Sequence, residues 1–348
     1  MNTTLLQLGW KPHFQQQLSL EDLENCAIYR VFAQHRSQIV CLGSEHYPHP
    51  KTFQVTHHFN DITVGDWVLI DSNNQIVKRL DRFSLAQRKA AGTEIKTQRI
   101  AANVDTIFIV MSLNQDFNLN RLERYLALVK SMQVEPVVIL TKADLCENYD
   151  DFAAQVQRLD PFLTFEIVNA LDNKSVQALQ KYSQTGNTVA FIGSSGVGKS
   201  TLVNSLSGNE IQKTGSIRED DDKGRHTTTS RQMQLLPNGA LLLDTPGMRE
   251  LQLVNSAEGI ADTFNDIEQL ASECRFHDCQ HESEPGCAIQ AAIVDEKLDV
   301  RRLRNYQKLL KEDLHNPSTV HERRQADKKL HKFYKTTQQG KYDLKYKD

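Results

Sequence analysis

FIGSSGVGKSTLVNSL, residues Phe191 to Leu206, decides the fold. Gly193-Ser194-Ser195-Gly196-Val197-Gly198-Lys199-Ser200 satisfies G-x-x-x-x-G-K-[ST], with an apolar strand pattern before it and a helical pattern after it. Glycines let backbone N–H groups converge on phosphate oxygens, and Lys199 places a point charge at the outer phosphates. The Ser200 hydroxyl can ligate magnesium, and the helix N-terminus adds its partial positive charge. Residues 193–201, through Thr201, are therefore candidate nucleotide contacts.

Two strand ends on either side extend the pattern. ALLLD ends at Asp244 and runs into Thr245-Pro246-Gly247. An aspartate there can hold magnesium through water, and the Gly247 backbone can sense a γ-phosphate. Upstream, the buried-strand pattern EPVVIL ends in Thr141-Lys142-Ala143-Asp144. The Asp144 carboxylate can accept two hydrogen bonds from guanine's ring and amino nitrogens, which adenine does not offer, while the Lys142 stem covers the ring. TKAD precedes the phosphate loop by about fifty residues, a separation far too long for an ordinary loop.

DTPG or TKAD alone is a weak signal, but phosphate loop, DTPG and [NT]KxD on successive strand ends resemble the motif set of GTPases. That resemblance implies a mobile switch at Lys223-Gly224-Arg225-His226-Thr227-Thr228-Thr229. Its magnesium-completing threonine is expected at Thr228, with Thr227 the near alternative. The polar stretch before it suits a segment ordered by nucleotide. The resemblance also implies a short base loop at Val168-Asn169-Ala170, which adds Asn169 and Ala170 to the candidate GTP contacts. In a standard GTPase the phosphate loop comes first and the base loops last; here the order is rotated while the cycle is kept, which reads as a circularly permuted GTPase.

The 348 residues are 39% hydrophobic and 24% charged, a globular composition long enough for two or three domains. The net charge of −3 is uneven: residues 301–348 hold fourteen Lys/Arg against six Asp/Glu, leaving 1–300 near −11. A basic tail suits an anionic partner. The N-terminus lacks a signal-peptide pattern, and no apolar run approaches the ~18 residues that cross a bilayer. A cytoplasmic protein with no membrane partner is expected.

Residues 29–80 read as short, closely spaced strands, which predict an all-β barrel of OB type within residues 1–85. Its candidate RNA face combines Arg30, His57, His58, Trp67 and Lys78. The polar stretch 86–99 reads as a linker. Residues 100–254 alternate strands and helices and form the α/β nucleotide-binding domain. Residues 255–348 read as a mainly helical domain with a basic, charged tail in which Arg301, Arg302 and Arg304 stand on the wet side of an amphipathic helix.

That last region carries Cys274-x4-Cys279-x-His281-x5-Cys287. Three sulfurs and an imidazole close a tetrahedral structural zinc site with no open position. His277 competes as a ligand and ranks below His281. Barrel, permuted GTPase core and Cys-Cys-His-Cys domain together resemble the RsgA family of ribosome small subunit-dependent GTPases over essentially the whole chain. The resemblance implies hydrolysis of GTP with magnesium, late in maturation of the small ribosomal subunit, stimulated by that subunit and its rRNA. A monomer is expected.

Two departures stand out. Thr141 replaces the more usual Asn, whose amide ties base loop to phosphate loop, so nucleotide binding is expected to loosen. Met248 stands where Ras-like enzymes place a water-orienting glutamine. His226 is the candidate in its stead, since neutral imidazole can accept a hydrogen bond from water. Two rival readings use the same residues: an RNA-dependent ATPase, and a non-catalytic zinc and RNA-binding protein.

Overall fold

The computed structural model describes residues 3–35, 37–43, 49–89, 97–208, 231–244 and 256–315. The chain divides into two compact units, residues 1–87 with 99–251, and residues 88–98 with 252–348.

The first unit begins with three short helices, α1 (Thr3–Gln7), α2 (Pro12–Gln15) and α3 (Leu20–Asn25). The last is closed by a capping box in which Ser19 and Asp22 satisfy each other's backbone N–H groups. Strands β1 (Cys26–Gln34), β2 (Gln38–Gly43), β3 (Lys51–Gln54), β4 (Trp67–Asp71) and β5 (Ile76–Arg79) follow. They are antiparallel in the order β3-β2-β1-β4-β5. Alternate residues Tyr29, Val31, Ile39, Cys41, Phe53, Val68 and Ile70 turn inward to one apolar cluster. Among the described residues no pairing joins β3 to β5.

Residues 86–99, expected to be a linker, instead carry most of β6 (Leu85–Lys89) and the start of β7 (Thr97–Ala102), which pair as a two-stranded ribbon. Polar composition concealed it because the residues the two strands bury are few, Ala86 with Ile100, Ala101 and Ala102, while Arg88 donates to the Gln98 side chain across the ribbon (3.0 Å).

The nucleotide core alternates β8 (Thr106–Ser112), α4 (Leu119–Ser131), β9 (Glu135–Thr141), α5 (Tyr149–Leu159), β10 (Phe165–Ile167), α6 (Asn173–Val176), β11 (Thr188–Ile192), α7 (Lys199–Ser207), β12 (Arg231–Leu235) and β13 (Leu241–Asp244). The sheet order is β10-β9-β8-β11-β13-β12, parallel except for β12. Every residue of β8 and β11 is buried, as continuous apolar runs covered on both faces should be. β12 also pairs with β1 through Ala33 and Gln34, so the N-terminal strands and the core share one sheet.

Arg30 and Trp67, read as candidates for an RNA face, are core residues. The Arg30 guanidinium donates to Leu8 O (2.5 Å), Asn103 O (3.0 Å) and Thr188 Oγ1 (2.8 Å), and stands 5.5 Å from the centre of the Trp67 ring. Burial pulls its pKa down to about 10, while the Asp105 and Asp66 carboxylates act the other way. Gly9 (φ 85°) is required beside it, because a Cβ there would lie 2.6 Å from the backbone oxygen of Gly186 as well as against the Arg30 guanidinium. Lys78 is bound to Asp22 (2.8 Å), whereas His57 and His58 are exposed. Arg30→Met is expected to cost at least about 3 kcal/mol, since several buried acceptors lose their donor at about 1–3 kcal/mol each. The urea midpoint reads this directly; an unchanged midpoint at unchanged slope would refute it.

The second unit contains α8 (Ala257–Thr263), α9 (Asn265–Ser272), α10 (Ala288–Val294) and α11 (Val300–His315). Arg302, expected on the wet side of α11, is buried against α9 with Asp266 (2.7 and 2.9 Å), and its guanidinium lies over the Phe264 ring. Arg304 is exposed. Among the described residues no helix is long and apolar enough to cross a membrane.

Candidate functional site

β11 delivers the chain into residues 193–198, where three glycines take positive φ. At Gly193 (φ 145°) a Cβ would lie 2.3 Å from Val110 O, so no other residue fits against β8. Gly198 (φ 98°) caps α7, whose first residue is Lys199. The Lys199 ammonium, nearly buried, donates to Gly193 O (2.8 Å) and to Ser194 O. The loop's own carbonyls thus hold the cation at the loop. Ser200 and Thr201 follow, half-buried, in the first turn of α7.

The upstream motif comes to the same place. β9 ends in Thr141, and Lys142 adopts a left-handed conformation (φ 60°) that turns the chain into a single 3-10 turn, Ala143–Leu145. Asp144 is exposed on it, open to a ligand. Thr141 itself is buried, and its hydroxyl donates to Val197 O (2.6 Å), with Met111 O 3.2 Å away. The shorter hydroxyl thus ties the end of β9 to residue 197 on its own, without the asparagine amide.

Asn169 and Ala170 lie on the next strand end. The Asn169 carboxamide oxygen accepts from Leu171 N and its backbone N–H donates to Ser175, so the turn is locally wired. Ser205, on α7, donates to Ala170 O (2.9 Å). Both base-side loops are therefore hydrogen-bonded to the phosphate loop or its helix. Neither Ser205 nor the Thr141 bond has a sequence signal, because each joins residues 35 or more apart.

Arg121 was also missed. It stands in the first turn of α4, capped by Asn118, and reaches both Asp116 and Ser194. The cap is legible in the sequence; the distant partner is not. Asp244 ends β13, which runs parallel to β11. Gly247, His226, Thr227, Thr228 and Met248 lie outside the described residues.

In the second unit, Cys274, Cys279, His281 and Cys287 bring one donor atom each within 4.8 Å of one another. His281 Nδ1 is 3.6 Å from Cys274 Sγ and 3.5 Å from Cys287 Sγ. A positive φ of 62° at His281 turns the backbone there. The Glu284 carboxylate accepts from the backbone N–H groups of Gln280, Glu282 and Ser283, which folds the loop around it. Cys287 begins α10, its sulfur accepting from Gln290 N (3.4 Å).

Burial keeps the His281 pKa below its ordinary 6.5, so the imidazole is neutral at pH 7 and able to ligate. Burial, with the neighbouring Cys287 thiol, pushes Cys279 up to about 12. Against the same burial, backbone N–H groups of Ala288 and Ile289 bring the Cys274 thiol down. His277 is not among the clustered donors. Three thiols and a neutral imidazole at this spacing fit a closed structural zinc site.

The sequence matches the RsgA GTPase family over residues 79–254 and the ABC transporter family over residues 176–339. Both spans include the phosphate loop, and only the first includes Asp144. "Small ribosomal subunit biogenesis GTPase RsgA 2" of Vibrio parahaemolyticus is 54% identical over 337 residues, 97% of this chain and 93% of that protein. Its namesake from Vibrio vulnificus is 55% identical, over 98% of this chain and 97% of that protein. "Small ribosomal subunit biogenesis GTPase RsgA" of Xanthomonas campestris is 46% identical over 80% and 79%. Among solved structures, YjeQ from Thermotoga maritima superposes with a TM-score of 0.60 at 21% identity, covering 83% of this chain and 99% of that one. YloQ, described as a circularly permuted GTPase, gives 0.57 at 23%, covering 83% and 95%. The fold is therefore that of a permuted GTPase.

Proposed function

This chain belongs to the RsgA GTPase family and is a GTPase of small ribosomal subunit biogenesis, and we propose that its chemistry runs where residues 141–144, 169–170 and 193–201 meet. The observation that carries this reading is the bonding of both base-side loops to the phosphate loop and its helix, through Thr141 and Ser205. Phosphates lie on the backbone N–H groups of 193–201 and against Lys199; guanine lies on Asp144, under the Lys142 stem and beside Asn169 and Ala170.

Ser200, Thr228 and, through water, Asp244 would hold the magnesium that comes with GTP, which neutralises charge on the β- and γ-phosphates. Gly247 senses the γ-phosphate. His226, in the switch, accepts a hydrogen bond from the attacking water, because Met248 cannot. Loss of the γ-phosphate releases the switch. Without a glutamine of its own the enzyme turns over slowly until its partner completes the site.

Residues 1–85 hold an OB-type barrel, a reading supported by β1 pairing with both β2 and β4 around one apolar cluster. Residues 100–254 are the nucleotide domain, and 255–348 the zinc domain and tail. Barrel, zinc domain and tail bind the small subunit and its rRNA. The protein works as a monomer in the cytoplasm.

GTP hydrolysis by the full chain, measured with and without small ribosomal subunits, tests this. Subunits should accelerate phosphate release at least tenfold, in the manner of partner-completed GTPases. No turnover in either case would leave a non-catalytic zinc and RNA-binding protein. Asp144→Asn should erode the preference for GTP over ATP; an unchanged preference would remove Asp144 from base reading.

A further inference from the structure

We propose that Arg121 is a positioning residue for the phosphate loop: anchored on Asp116, it grips the Ser194 hydroxyl and so fixes the carbonyl that holds Lys199. This rests on reading residues 193–201 as the phosphate loop. Arg121 Nη1 is 2.9 and 2.8 Å from the two Asp116 carboxylate oxygens and donates to Ser194 Oγ at 2.5 Å. Ser194 is thus held at both ends, its hydroxyl by Arg121 and its carbonyl oxygen by the Lys199 ammonium.

The anchor is itself built in. Asn114 accepts from the Ser112 hydroxyl (2.8 Å) and from Asp116 N (3.0 Å), which sets the turn that presents the carboxylate. Asn118 caps α4 through Arg121 N (3.1 Å), which sets the start of the arginine. Leu113 N donates to Thr141 O (2.9 Å), and Phe117 packs edge-on to Phe152 of α5 at 4.9 Å. The segment 112–121 therefore braces the base strand at one end and the phosphate loop at the other. All three contacts come from one nitrogen, Nη1, which stands one bond farther from the backbone than a lysine ammonium reaches, so lysine would not place its charge between both partners.

A residue that places the loop before any chemistry contributes equally to ground state and transition state. Its removal then raises KM and leaves kcat. Arg121→Ala should weaken binding of fluorescent GDP and of a GTP analogue alike, by about tenfold, with kcat at saturating GTP changed less than about twofold. Arg121→Lys should recover only part of the affinity. In a Ser194→Ala background the Arg121→Ala change should have no further effect, since the two act through one bond.

Full recovery by lysine would mean that charge alone suffices, and would overturn the positioning role. So would additive losses in the double variant, a fall in kcat with affinity unchanged, or unchanged affinity with a lowered melting temperature of the nucleotide-free protein. Lys199→Ala is the reference. If it too leaves nucleotide binding intact, the phosphate-loop reading fails and takes this proposal with it; if only Arg121→Ala is silent, the proposal fails alone.

Discussion

If residues 193–201 hold the phosphates as proposed, Lys199→Ala is expected to lower GTP turnover in the presence of small subunits by about two to three orders of magnitude, the usual consequence of deleting one preorganised group facing developing charge. Lys199 is 9% exposed and bonded to two carbonyls of its own loop, so its charge is fixed in place before any ligand arrives. Lys199→Arg should not rescue, because those carbonyls hold a compact ammonium and a guanidinium needs more room. Single-turnover phosphate release with saturating subunits reads the effect. A loss below about fivefold would place the charge stabilisation elsewhere. The urea midpoint guards against misfolding as the cause.

Cys279→Ser is expected to lose about one zinc per chain and with it the fold of residues 274–287, because structural zinc contributes apparent binding free energies of about 10–16 kcal/mol to small domains. Apart from a metal, that loop is held by the Glu284 turn, the contact of Arg275 N with Gly286 O (3.1 Å), short backbone turns at Cys279 and Cys287, and the Gln290 side chain on His281 O, with no apolar core of its own size to replace the ion. Trypsin should report it: Arg275 is exposed but lies on a closed turn, and stripping the metal should speed cleavage there at least about tenfold. Full metal retention by the variant would defeat the assignment, as would a cleavage rate that ignores the chelator. His277→Ala, outside the donor cluster, should keep its ion.

The parts of this protein that could be read from sequence are those in which chemistry restricts residue type. A loop that binds phosphate needs glycines and a lysine at set intervals, and the buried strands on either side announce themselves by unbroken apolar runs. The rotated motif order carried the topology, and the Cys/His spacing carried the metal cluster. Most of what stayed hidden has one physical cause, pairing between distant residues. An arginine in YRVF reads as solvated until Leu8, Asn103 and Thr188 are seen around it. Thr141 reads as a defect until Val197 O is seen 2.6 Å away. Arg302 reads as the wet face of a helix until Asp266 and Phe264 cover it. Residues 86–99 are too polar to suggest a strand, because the residues that anchor the ribbon are Ala86 and, just past that stretch, Ile100, Ala101 and Ala102.

Arg30 also sets where the chain can be cut. Its acceptors are Leu8 O just after α1, Gly65 O, Asn103 O and Thr188 at the start of the strand that opens into residues 193–198. A fragment ending at residue 85 keeps the guanidinium and loses two of those four acceptors, so its buried cation would be less well satisfied. A fragment beginning at residue 100 loses Leu8 and β1, and leaves the β12 edge without Ala33 and Gln34. The N-terminal strands and the nucleotide core should consequently melt in one transition.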